Sequence, residues 1–188
     1  MVQVVLSGRI AVGYIVPKLK CIPSLTVQIK MPSMDVDYLD PDSADVQALI
    51  AASDAYYVDL YPAESTHLES SEDLKKPNVL FVGCRIDAEL VASGAAKILQ
   101  DDVSYAEIKR VFVLAQHRGK GLSNKIMHYL ESELENRGVT LFRLETGIKQ
   151  PEALGLYRKL GYRERGPFGA YVADPLSVFM EKYVGLET

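Results

Sequence analysis

"AQHRGKGLSNKIMHYL", Ala115 to Leu130, sets His117, Arg118, Lys120 and two glycines in front of an apolar periodic run. Leu122, Ile126, Leu130 and Leu134 recur at helical spacing and make one buried stripe. Gly138, just past Arg137, suits the left-handed residue that closes such a helix. A helix N-terminus presents unpaired N–H groups and about half a positive charge, so it attracts anions. Gly119 and Gly121 let the backbone approach a ligand closely, and Arg118 and Lys120 add charge. Walker A is excluded, because Gly-Lys is followed by Gly121 rather than Ser or Thr. A dinucleotide fingerprint is excluded too, because Asn124 stands where its third glycine belongs. Residue types alone leave two readings: an ordinary strand–loop–helix junction, or a phosphate cradle.

Upstream, "VLFVGCRI" (Val79–Ile86), "LVASGAAKIL" (Leu90–Leu99) and "YAEIKRVFVL" (Tyr105–Leu114) are β-rich and joined by short Asp-bearing links, which predicts an antiparallel meander. "SLTVQIKMP" (Ser24–Pro32) alternates and reads as a first strand. Val46, Leu49, Ile50 and Tyr57 predict a helix capped by Asp42 or Ser43, and a second short helix is expected to cover Ser65–Leu74. Downstream, "VTLFRLET" (Val139–Thr146) reads as a strand. A helix opening at Pro151 buries Ala153, Leu154, Tyr157 and Leu160, and "YRERG" and "SVFMEKYV" are the last two strands. The order is β-α-α-β-β-β-α-β-α-β-β, a mixed α/β layer structure.

The composition of the 188 residues is that of an average soluble domain: 48% hydrophobic and 24% charged. A net charge of -4 argues against a nucleic-acid partner, which needs a basic face. No apolar run reaches membrane-spanning length, so no membrane partner is expected. Two distant cysteines, Cys21 and Cys84, fit neither a disulfide framework nor metal-ligand spacing, which points to a reducing, cytoplasmic setting and no metal. Met1–Met34 holds four basic residues and no acid, leaving 17 basic and 25 acidic residues beyond it. Residues 1–23 are set apart as an N-terminal extension whose role, targeting included, stays open; 24–188 is expected to be a single domain.

Gln116-His117-Arg118-Gly119-Lys120-Gly121 matches Q/R-x-x-G-x-G/A, and Val111-Phe112-Val113 precedes it like a V-x-V strand end. "PEALGLYRKLGY" follows some thirty residues later. In this combination the chain resembles the GNAT N-acetyltransferase superfamily from about Leu25 to Val184. "LYPAESTHL", "EIKRVFV", "LETG" and "GPFGAYVADPLSVFMEK" look like a small-molecule branch of it. The resemblance implies the acyl-CoA N-acyltransferase fold: a mixed, mostly antiparallel central sheet with helices on both faces. It implies acetyl-CoA as cosubstrate and the primary amine of a small molecule as acceptor. The amides of Arg118, Gly119, Lys120, Gly121, Leu122 and Ser123 would hold the coenzyme pyrophosphate, with Gln116 opening the motif. The backbone of Val111 and Val113 would pair with the pantetheine arm, in a slot where the strands ending at Leu114 and Thr146 splay apart. Ala115, Ser123 and Gln150 depart from the commoner proline, glycine or alanine, and asparagine, and Gln150 puts one pantetheine contact in question.

Acetyl transfer to an amine needs a neutral nucleophile, a polarised carbonyl and a proton for the departing thiolate. The resemblance gives Tyr157 the general-acid position; read alone, it is a tyrosine on an apolar helix face. Period 2 puts Glu107, Lys109, Val111 and Val113 on one strand face and Ile108, Arg110 and Phe112 on the other. Glu107 is the first candidate base and Glu145 the second, and each can equally be half of an inter-strand charge pair. From Met31 to Leu74 eleven acids stand without a Lys or Arg, a field that favours a cationic acceptor. Lys109 or Arg110 is the alternative, as a holder of an acceptor carboxylate. A non-catalytic acyl-CoA sensor and a peptide or protein N-acetyltransferase are the competing functions, and homodimer formation is left open.

Overall fold

The computed structural model describes residues 34–62, 69–101 and 103–185. In chain order these form β1 (Met34–Tyr38), α1 (Ala44–Leu60), α2 (Ser71–Leu74), β2 (Val79–Ile86), β3 (Glu89–Gln100) and β4 (Ser104–Val113). After a 3-10 turn at Ala115–His117 come α3 (Leu122–Asn136), β5 (Leu141–Gly147), α4 (Pro151–Lys159), β6 (Arg163–Arg165) and β7 (Ser177–Tyr183). The strands make one seven-stranded sheet in the order β1-β2-β3-β4-β5-β7-β6. Every neighbouring pair is antiparallel except β4 and β5. The expected meander is β2-β3-β4, and from α1 onward the described elements follow the expected order.

Helices cover both faces because the strands bury side chains on both. On one face α3 and α4 pack Leu122, Ile126, Leu130, Leu134 and Leu154 against Val82, Ala96, Ala106, Ile108 and Phe142. The four residues of the predicted α3 stripe are all almost completely buried. Gly94 lets α3 lie directly on β3, since a Cβ there would meet Ile126 Cγ2 at 2.3 Å. On the other face α1 buries Val46, Leu49 and Ile50 against Phe81, Leu90, Ala95 and Phe112. Ser43 is the N-cap of α1, as expected, and a reciprocal Ser70–Asp73 capping box opens α2. Gly138 has φ 76 at the end of α3.

One expectation ends differently, and two fall wholly or partly outside the described residues. The strand predicted at Ser24–Pro32 lies outside the described residues, and the strand pairing with β2 is Met34–Tyr38. The second helix is described only as Ser71–Leu74. The alternation read along β4 fails at Arg110. There Ser93 pairs with Phe112 but Ala95 with Lys109, so β4 holds one residue more than β3 over that interval. Arg110 absorbs it with φ 55, a β-bulge in the left-handed region. The bulge flips the pattern: Ile108, Val111 and Val113 face α3 and α4. Phe112 faces α1, and Glu107 and Lys109, on the near side of the bulge, share its face.

Candidate active site

Parallel β4 and β5 pair only over Ala106–Ile108 and Phe142–Leu144. Beyond Leu144, β5 stays with β7 as far as Gly147, while β4 stays with β3 through Val113. The two strands therefore splay at their carboxyl ends, just where the bulge turns β4. Leu114 donates its N–H to Val91 on β3 (3.0 Å). By alternation, the peptide groups of Val111 and Val113 point the other way, into the gap. The Val113 carbonyl is met there by Arg118 Nε at 3.2 Å.

A groove of about 580 Å³ runs along this gap to the start of α3. Val111 and Val113 form one side, Gln150 and Ala153 of the α4 end the other, and Arg118, Gly119, Gly121, Leu122 and Ser123 its mouth. Gly119 and Gly121 have φ 77 and 76, and a Cβ on either would meet nothing within 4 Å. Backbone conformation rather than crowding calls for glycine there, and the amides are left open to an approaching group. Gly121 is the N-cap of α3 and carries no side-chain cap. Arg118 stacks 4.6 Å from the Tyr56 ring centre, which holds a guanidinium over the groove. The Gln116 and Lys120 side chains are exposed outside the lining, and Lys120 Nζ lies 3.1 Å from His117 Nδ1. His117, not expected from sequence, does line the groove.

A smaller cavity of about 80 Å³ continues from it between the splayed strands. Tyr57, Val111, Gln150 and Tyr157 line both spaces. Tyr157, from α4, and Tyr57, from α1, approach from opposite sheet faces through the missing strand position. Burial pushes the Tyr157 hydroxyl far above its ordinary value of 10.0, and the nearby Tyr57 and Glu145 push the same way. Tyr57 is pushed up to about 12, again mainly by burial. Tyr61 seals one end. It packs onto Gly147, where a Cβ would meet the Tyr61 hydroxyl at 2.0 Å, and it accepts the Lys149 N–H at 2.9 Å.

The two candidate bases share this cavity. Glu107 Oε1 accepts from the Tyr171 hydroxyl (2.6 Å) and from Lys109 Nζ (3.0 Å), and Glu145 Oε1 from the Ser177 hydroxyl (2.6 Å). Lys109 also bridges to Glu69 at 3.4 Å. Arg110 is buried with its guanidinium on Asp54 of α1 and the Glu69 carbonyl. Both cations thus already hold acidic or carbonyl oxygens, while Arg110 Nε is buried without a partner among the described residues. His128 is exposed on α3, and His67 lies outside the described residues. Tyr61, Gly147 and Tyr171 are site residues that sequence reasoning missed; only contacts between distant segments reveal them.

Residues 46–162 match the family model described as "Acetyltransferase (GNAT) family". The chain belongs to the GNAT acetyltransferase family. It is 40% identical over 152 residues to the IAA acetyltransferase of Azospirillum brasilense, covering 81% of this chain and 99% of that one. The crystal structure of a Klebsiella pneumoniae protein assigned to the acyl-CoA N-acyltransferases is 36% identical, with a TM-score of 0.67 over 81% of this chain and 98% of that one. The PaiA N-acetyltransferase of Thermoplasma acidophilum, solved with coenzyme A, shares the fold at 20% identity and a TM-score of 0.63, over 80% of this chain and 99% of that one. As a GNAT enzyme the chain is an acyltransferase, and acetyl-CoA-dependent acetylation is general to its family. The groove fits that cosubstrate: an uncapped helix N-terminus for its phosphates, and unpaired strand edges for its amide-bearing arm.

Proposed function

We propose that this GNAT enzyme transfers the acetyl group of acetyl-CoA to the primary amine of a small molecule, by direct attack in a ternary complex. The observation that carries the reading is the meeting of two spaces at Tyr157, which lines both the long groove and the small cavity. The amides of Arg118 to Ser123 hold the coenzyme phosphates, helped by the α3 dipole and the Arg118 guanidinium. Val111 and Val113 take its arm as an added strand, which delivers the reactive end to the cavity. The Gln150 side chain lines that junction in place of the commoner asparagine. Acetyl-CoA supplies an activated thioester. An amine arrives as ammonium and must lose a proton before it attacks. Glu107, directly or through a water, accepts that proton, and Glu145 is the alternative acceptor. Tyr157 holds a proton at its hydroxyl for the departing sulfur. Burial keeps that hydroxyl protonated across the physiological range, as a general acid requires.

Among the described residues the one cysteine is not placed to form a covalent acetyl-enzyme. Cys84 is fully buried among the residues packed against α3, and burial pushes its thiol above 9.0, away from a reactive thiolate. The cavity of about 80 Å³ suits a compact amine head group better than a folded protein surface. Tyr157→Phe tests the assignment. Acetyl-CoA should still raise the melting temperature, while turnover with an accepted amine falls by roughly 10²–10⁴-fold. Unchanged turnover in that variant would remove Tyr157 from the mechanism.

A further inference from the structure

Tyr57, Tyr61, Tyr157 and Tyr171 all line the small cavity. Two of these hydroxyls are held by other residues: Tyr61 accepts the Lys149 N–H at 2.9 Å, and Tyr171 donates to Glu107 Oε1 at 2.6 Å. The hydroxyls of Tyr57 and Tyr157 bond to no described residue, yet they are not sealed in the core as Ser53 Oγ and Tyr162 Oη are. Both residues line the cavity and the coenzyme groove, so their open side is the place where the two spaces meet. A mostly buried hydroxyl without a partner is an unmet donor, which an entering acceptor atom satisfies.

Tyr57 is set there by the same bulge that opens the strands. The Arg110 guanidinium holds Asp54, and Asp54 and Tyr57 stand three residues apart on one face of α1. Tyr56 packs against Phe112 at 5.9 Å and edge-on to Tyr57 at 5.5 Å, centre to centre. The turn of α1 that carries Tyr57 is thus fixed to β4 by a charge pair and a ring contact. Burial, then Tyr56, push the Tyr57 hydroxyl up to about 12, while the Arg110 charge pulls the other way. It keeps its proton through the physiological range and can donate throughout.

Acyl transfer builds negative charge at two atoms of a thioester. As the amine lone pair forms the new bond to carbon, the carbonyl π pair moves onto oxygen. As the C–S bond breaks, its pair leaves on sulfur. The sulfur needs a proton, which Tyr157 supplies. The oxygen needs a hydrogen-bond donor and no proton, because the C=O bond is restored when the sulfur departs. Lys109 and Arg110 already hold oxygens of the protein, and Val111 and Val113 serve the coenzyme arm. Tyr57 approaches from the sheet face opposite Tyr157, so two hydroxyls can reach two atoms of one planar group.

We propose that Tyr57 is a second catalytic hydroxyl, donating a hydrogen bond to the carbonyl oxygen of the acetyl group while Tyr157 protonates the sulfur. The proposal rests on the amine-acetylation reading above and adds the group that polarises the carbonyl. Tyr57 gives up no proton: the amine proton goes to Glu107 or Glu145, and the thiolate takes its proton from Tyr157.

Tyr57→Phe keeps the ring and removes only the hydroxyl. No hydrogen bond to a described residue is lost, so the melting temperature should hold. With acetyl-CoA and an accepted amine, kcat should fall roughly 10²-fold, as when one donor leaves an oxyanion site, while both KM values change little. A second readout needs no turnover: the infrared carbonyl band of bound acetyl-CoA, isotope-labelled at the carbonyl carbon, without amine. Donation by Tyr57 weakens the C=O bond and lowers the band, so Tyr57→Phe should raise it by several wavenumbers and Tyr157→Phe should leave it in place. An unmoved band in Tyr57→Phe, a band that moves in Tyr157→Phe instead, or an unchanged kcat would each overturn the proposal. So would a raised KM for amine at unchanged kcat, which would make Tyr57 a wall of the acceptor space. Failure of the unaltered protein to acetylate any amine would instead refute the amine-acetylation reading, and the carbonyl band would then decide the Tyr57 contact by itself.

Discussion

Replacing Arg110 by glycine and by alanine asks whether the bulge that opens the site is real. In an ordinary strand interior glycine is worse than alanine by about 0.5–1 kcal/mol, because it has more backbone freedom to lose. Arg110 sits at φ 55, where any residue with a Cβ costs about 1–2 kcal/mol and glycine costs nothing. The order should therefore invert, with Arg110→Gly more stable than Arg110→Ala by roughly 1 kcal/mol. Both variants lose the bonds to Asp54 and the Glu69 carbonyl. Asp54 is 40% exposed and stays hydrated after the loss, so the common penalty relative to Arg110 should be about 2 kcal/mol, the lower part of the range for charged hydrogen bonds. Urea unfolding followed by far-UV circular dichroism resolves this. At a slope of about 2 kcal/mol/M, the two midpoints should differ by about 0.5 M, glycine higher. An alanine variant as stable as the glycine variant, or more so, would mean that residue 110 is not left-handed and that the bulge does not splay β4 from β5.

Gly147→Ala drives a Cβ into the Tyr61 ring and should cost about 2–3 kcal/mol through the displaced ring and its bond to Lys149, read as a lower urea midpoint. In a Tyr61→Ala background the same change should be nearly neutral, and simple additivity of the two would refute the contact. Alkaline pH should destabilise the fold. Tyr57 and Tyr105 are pushed up to about 12 in the folded chain, from 10.0, mainly by burial, and Tyr157 further. Such groups stabilise fully below the unfolded value and lose that contribution as pH rises through the folded ones. The urea midpoint should thus fall between about pH 10 and 12, and less steeply in Tyr157→Phe. Gly121→Val should lower stability by about 1–2 kcal/mol, because residue 121 sits at φ 76, and should also raise the KM for acetyl-CoA, because the side chain would stand in the open mouth of the groove; an unchanged KM in the folded variant would contradict the cradle.

Much of the molecule was legible in the chain, for identifiable reasons. The stripe Leu122, Ile126, Leu130, Leu134 has an unmistakable period, and Gly138 closes it in the conformation that only glycine takes easily. The meander from Val79 to Val113 is strong in β-forming residues with short links. The glycines and charges of the loop from Arg118 to Ser123 mark it as an expected anion cradle, and the fold sets that loop at the mouth of the groove. What escaped has no local signal. An arginine at φ 55 looks in sequence like any strand residue, so the alternation along β4 was carried through a bulge that reverses it. The need for glycine at 147 comes from Tyr61, 86 positions away. Tyr171 lies in a loop without periodicity, and only the folded chain sets its hydroxyl on Glu107.

The meeting of acetyl-CoA and an amine in one site, at an unpaired strand edge, a helix N-terminus and a buried tyrosine, is the step on which the proposed function turns. It is tested most directly by initial rates of coenzyme A release with acetyl-CoA and amine both varied. Release should depend on amine, and double-reciprocal plots should intersect, as a ternary complex requires. Parallel lines, or release indifferent to amine, would contradict it.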